Sequence, residues 1–163
     1  MSLLATTACS RSGEDQQALP TPVPAATEPV ATATADPPPA PPPQVDPCEL
    51  VTHQEAEELA QTPLQEAAAF PQSCTYTGPP EGPLAQVEVY VGDGAKQIYD
   101  TDVNLGHEFT EIPDLGDEGF VEDGMVFFHV GGYWVGIRLV RLDDWSRYEQ
   151  SVIEVARTAA DRL

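Results

Sequence analysis

Met125-Val126-Phe127-Phe128-His129-Val130-Gly131-Gly132-Tyr133-Trp134-Val135-Gly136-Ile137-Arg138-Leu139-Val140 is the stretch that decides the fold. Gly131-Gly132 is a two-residue connector that accepts the positive φ of type I′ and II′ turns, and strand-forming runs flank it. Pairing across it sets Val130 opposite Tyr133, His129 opposite Trp134, Phe128 opposite Val135 and Phe127 opposite Gly136. Side chains alternate between the faces of a strand, so the hairpin sorts into two surfaces. One holds Val126, Phe128, Val130, Tyr133, Val135, Ile137 and Leu139 and reads as core. The other holds Met125, Phe127, His129, Trp134, Arg138 and Val140, a mixed surface that either binds a partner or lies under a helix.

Downstream, from about Asp144 to Leu163, the residues Tyr148, Val152, Val155, Ala156, Ala159 and Leu163 recur at spacings of three and four. That spacing predicts a helix packed on the apolar face. Upstream, Ala85, Val87, Val89 and Val91 alternate with Gln86, Glu88 and Tyr90, a strand with one buried and one open face. Asp93 reads as the cap of a short helix carrying Ala95, Ile98 and Tyr99 and ending near Asn104-Leu105-Gly106. Ser73-Cys74-Thr75-Tyr76-Thr77 reads as the first strand. Thr52 and Glu55 make a capping box that opens a helix bearing Ala56, Leu59 and Ala60, closed by Thr62-Pro63. The expected head, residues 46–163, is α+β. It has an antiparallel sheet of about five strands, a C-terminal helix on one face, and the order α-β-β-α-β-β-β-α.

Residues 10–45 differ in kind. Ten prolines remove backbone donors and fix φ, and the intervening Ala and Thr offer nothing large to bury. The tract reads as an extended, disordered spacer that lengthens by about 3.1 Å per polyproline residue. Ahead of it, residues 1–9 read as the remnant of a signal ending in a lipobox. Cys9 follows the apolar run Leu3-Leu4-Ala5-Thr6-Thr7-Ala8, and its thiol is the expected lipid-attachment point. The run is short and lacks Lys or Arg, so the expectation is either a start further upstream or a replaced leader. An unmodified thiol in a disordered tail is the competing reading of Cys9.

Charge narrows the partners. The chain has Lys+Arg 7 against Asp+Glu 27, a formal net charge of -20, and Lys96 is its one lysine. Nucleic acid is excluded, because neutralising phosphates needs clustered cations. Anionic lipid headgroups are disfavoured for the same reason, so membrane association is expected through the anchor alone. No run approaches the ~18 consecutive apolar residues of a membrane span.

Cys48 and Cys74 are the only cysteines of the head. In an exported chain such a pair is most simply a disulfide, which closes a loop and stabilises the fold by about 3 kcal/mol. A metal site competes for these cysteines but lacks the paired CxxC spacing of zinc ligands. No nucleophile elbow or activated cysteine accompanies His53, His107 or His129, so no catalytic residue is assigned. Asp100, Asp102, Asn104, Glu108 and Glu111 fall at positions 1, 3, 5, 9 and 12 of a calcium loop. Leu105 occupies the position where the turn requires glycine. A solvated acidic segment able to hold divalent ions weakly is therefore preferred, and no metal or cofactor is assigned.

Asp46-Pro47-Cys48-Glu49-Leu50-Val51-Thr52, Ser73-Cys74-Thr75-Tyr76, Ile112-Pro113-Asp114-Leu115-Gly116-Asp117-Glu118-Gly119-Phe120 and the final hairpin with its helix together resemble the small uncharacterised lipoproteins of actinobacterial envelopes. The likeness covers the head. It implies an α+β domain behind a lipobox, with a loose kinship to sheet-and-helix folds of the photosystem-accessory type, and it transfers no catalytic residues. It also implies alanine as the usual residue at the position of Gly119.

The expected function is non-enzymatic. The chain reads as a monomeric, extracytoplasmic protein held to the outer face of the cell membrane by lipid, whose head binds an envelope protein or small ligand. Phe127, His129, Trp134 and Arg138 form the candidate binding face, since aromatic residues beside an Arg supply much of an interface's affinity. Two alternatives belong to other classes: an extracytoplasmic hydrolase using a His/carboxylate site, and a passive structural or assembly lipoprotein.

Overall fold

The structure is a computed structural model, and it describes residues 45–163. Cys9 and the spacer at residues 10–44 lie outside the described residues.

Two short helices open the head. Asp46 accepts a hydrogen bond from the Cys48 amide, Pro47 fills the first helical position, and α1 (Pro47–Leu50) results. The Thr52 side chain accepts from the Glu55 amide while Glu55 reaches back to the Thr52 amide, so the predicted capping box starts α2 (His53–Ala60). Helix α2 stops where Gln61 turns left-handed (φ 52), ahead of Pro63. The chain then builds β1 (Ala68–Phe70), β2 (Ser73–Thr77) and β3 (Ala85–Val91) as one meander. Helix α3 (Asp93–Leu105) carries it over the sheet to a second meander of β4 (Thr110–Glu111), β5 (Glu118–Glu122), β6 (Met125–Val130) and β7 (Tyr133–Arg141). A 3-10 turn at Trp145–Arg147 leads into α4 (Glu149–Ala160).

The sheet is antiparallel throughout, in the order β1-β2-β3-β7-β6-β5-β4. It has seven strands rather than about five. The two additions, β1 and β4, are three and two residues long and lie at opposite edges, where short strands limit unwanted edge pairing. The hairpin register is the predicted one, from Val130 opposite Tyr133 to Phe127 opposite Gly136. The C-terminal segment is divided: Asp144 caps the 3-10 turn, and the helix proper starts at Glu149.

One sheet face supports the main core. Cys74, Val87, Val89, Val126, Phe128, Val135 and Ile137 are fully buried there and pack under α1, α2 and α4. From α4, Tyr148, Val152, Ile153, Ala156 and Ala159 are buried, whereas Val155 is half-buried and Leu163 is exposed. Cys48 and Cys74 form the expected disulfide, with Cα atoms 5.2 Å apart, which ties α1 to β2. The Tyr76 hydroxyl donates to the Val51 carbonyl at 2.7 Å, and Arg162 donates to the Leu50 carbonyl at 2.6 Å. The first helices are thereby pinned to both the sheet and the C-terminus.

The opposite face is not open along the hairpin. Helix α3 packs on β3 and β7 and covers part of it. The sequence left undecided which face a helix would take. Tyr99, Phe109, Phe120 and Phe127 answer that by forming an aromatic layer beneath and beside α3. Gly136 makes the layer possible, because a Cβ there would stand 3.3 Å from the Phe127 ring and closer still to the Met125 methyl.

Candidate functional site

The four residues of the predicted binding face share one side of the sheet but have unequal access. Phe127 is 0% exposed, under Tyr99, with which it makes an edge contact at 5.5 Å. As a residue that touches a partner it is therefore corrected: α3 shields it from solvent. Trp134 is half-buried, stacked on Tyr99 with ring centroids 4.8 Å apart, and Lys96 lies over its ring at 5.5 Å. His129 neighbours Trp134 at 5.6 Å and stands 3.4 Å from the Asp117 carboxylate. Arg138 lies further along β7, exposed, 3.7 Å from Glu88. Between it and Trp134 come Gly136 and the covered Phe127. What remains accessible is a rim of Trp134, His129 and Lys96 at one end of α3.

Beyond α3 the same face is polar. Gln86 donates to Glu88 at 2.7 Å, and burial together with Glu88 pushes the Tyr90 phenol up to about 12. Phenol and carboxylate crowd one another in partial shelter from water, which disfavours a second negative charge.

At the other end of α3 lies a cluster that the sequence did not assemble. Gly106 adopts φ 82 and ends the helix; its amide donates to the Val103 carbonyl, and the His107 amide donates to the Asp102 carbonyl at 3.0 Å. This paired closure folds the chain back on the last helical turn, so residue 107 returns over residue 102. The His107 ring Nδ1 then stands 2.8 Å from the Glu122 carboxylate on β5 and 3.9 Å from that of Asp102. The Glu122 side chain is 9% exposed and that of Asp102 16%. Burial pushes the Glu122 carboxyl above its usual range, with Asp102 adding to the effect, and the hydrogen bond to Glu122 raises the His107 imidazole.

The calcium-loop pattern does not form a loop. Asp100, Asp102 and Asn104 are helical residues of α3, and Glu111 is on β4. Lys96 contacts Asp100 one turn along the helix, and the Asn104 amide donates to the Asp100 carbonyl. The start of α3 also differs from expectation. Gly92 at φ 65 precedes the helix with no side-chain cap bond, and Asp93 lies inside the first turn. His53 has a structural place, its Nε2 lying 3.0 Å from the Leu64 carbonyl and its ring beside Tyr76.

No protein-family model, curated protein or solved structure matches this chain. No helix of the described residues is long and apolar enough to cross a membrane.

Proposed function

We propose that the chain is an exported, lipid-anchored envelope protein whose head binds a ligand or protein partner without transforming it. The observation that carries this reading is the Cys48–Cys74 bond. Such bonds persist in oxidising compartments and are reduced in the cytosol, and this one joins the start of the head to its sheet. A Pro-rich spacer and Cys9 ahead of the head supply the tether that an exported binding domain needs. The rim of Trp134 and His129 offers a flat aromatic and a hydrogen-bonding ring at the turn end of the central β6–β7 hairpin, the combination that anchors interfaces.

Fractionation of cells expressing the native gene tests the tether. The wild-type chain is expected in the membrane fraction with acyl chains on Cys9, and Cys9→Ala in the soluble extracytoplasmic fraction. Equal partitioning of both, without acylation, contradicts the reading.

A further inference from the structure

We propose that Asp102, His107 and Glu122 form a three-ligand site for a divalent transition-metal ion of the zinc class, with its remaining coordination positions facing solvent. The three side chains come from different places in the chain: the last turn of α3, the residue after its glycine cap, and β5. One atom from each, two carboxylate oxygens and an imidazole nitrogen, lies within 4.8 Å of the others. Ligand atoms around one tetrahedral Zn²⁺ at bond lengths of about 2.1 Å stand about 3.4 Å apart. The two distances from His107 Nδ1, 2.8 and 3.9 Å, bracket that separation.

Three further features favour a cation at this point. The Glu122 side chain is more than nine-tenths buried, and among the described residues its carboxylate has no partner outside the cluster. Two sheltered carboxylates side by side repel unless a positive charge lies between them. The last turn of α3 has no basic residue, so its partially negative end and Asp102 are uncompensated within the helix. His107 answers them only when protonated, whereas a divalent ion answers both carboxylates and takes the neutral ring as a ligand. The mixed nitrogen and oxygen set suits zinc, nickel or iron better than calcium or magnesium, which prefer oxygen alone. The site is separate from the Trp134 rim and does not depend on the export reading.

Titration of the full chain with ZnCl₂ by calorimetry tests the site, with Cys9 alkylated so that its thiolate does not compete. One ion is expected to bind per chain, and Glu122→Gln and His107→Ala are each expected to weaken binding by at least about tenfold. Asp161→Asn, an exposed acidic control, is expected to bind as the wild type does. Imidazole NMR of the wild-type chain gives a readout that needs no variant, in which Zn²⁺ shifts His107 and leaves His53 and His129 in place. Absence of one-to-one binding at millimolar Zn²⁺, unchanged affinity in both variants, or equal shifts at all three histidines overturns the proposal.

Discussion

Tyr99 of α3 stacks on Trp134 of β7 at 4.8 Å while its ring also meets Phe109, Phe120 and Phe127. One helical side chain thus closes the aromatic layer and defines how much of Trp134 a partner can reach. Tyr99→Ala removes a ring with four aromatic neighbours, and half-burial places its cost at about 2 kcal/mol. In a Trp145→Phe background, which leaves Trp134 as the sole indole, the same change is expected to red-shift emission and increase acrylamide quenching. Unchanged quenching would show that α3 does not hold that position in solution.

Gly119 has no room for a side chain. A Cβ there would stand 2.7 Å from the Leu115 Cβ, and Leu115 is 1% exposed. Gly119→Ala is therefore expected to destabilise the head by about 1–3 kcal/mol in urea unfolding. The clash is local, so a double-mutant cycle with Leu115→Ala is expected to show coupling rather than additivity. An alanine at this position would require Leu115 to move or to shrink.

Arg162 donates to both carboxylate oxygens of Glu55, at 2.8 and 2.6 Å, and holds that carboxyl down at about 2 from its usual 4.5. A depressed carboxyl contributes stability that is complete above the unfolded value and fades as pH falls through the folded one. Loss is thus expected between about pH 4.5 and pH 2. The pair is partly exposed, so solvent screening reduces the contribution to about 1–2 kcal/mol. Arg162→Ala is expected to shrink this acid-dependent component in thermal melts recorded across that range. A pH profile unchanged by the substitution would remove the pair from the account.

Gly106 shapes the proposed metal cluster through the backbone alone. It adopts φ 82, and no atom lies within 4 Å of the point a Cβ would occupy, so Gly106→Ala costs conformational strain of about 1 kcal/mol without a clash. The substitution is expected to weaken Zn²⁺ binding more than it lowers the melting temperature, since it moves His107 relative to Asp102. Equal binding with lowered stability would separate the helix cap from the cluster.

Local chemistry made much of the fold legible. The hairpin register followed from Gly131-Gly132 and period-two alternation, and the start of α2 from Thr52 and Glu55. The cysteine pair followed from its isolation in the head. Strands β1 and β4 are too short to carry a period, so pairing with longer neighbours alone defines them. The stripe of Ala95, Ile98 and Tyr99 announced a helix but did not say which sheet face it would cover. That choice fell to Phe120, Phe127 and Trp134, which are distant in sequence and adjacent in the sheet. His107 and Glu122 are 15 residues apart, and a glycine cap and the β5 register bring them together. The calcium-loop spacing was real in sequence, but a helix places successive carboxylates around its circumference instead of around one point.

The oxidation state of Cys48 and Cys74 in natively purified protein tests the central claim most directly. Alkylation under denaturing conditions without reductant, read by intact mass, is predicted to label neither cysteine. After reduction both are predicted to react, and opening a loop with a sequence separation of 26 implies a loss of about 3 kcal/mol in stability. Two freely alkylated thiols in unreduced native protein would contradict the account of an exported, disulfide-stapled head.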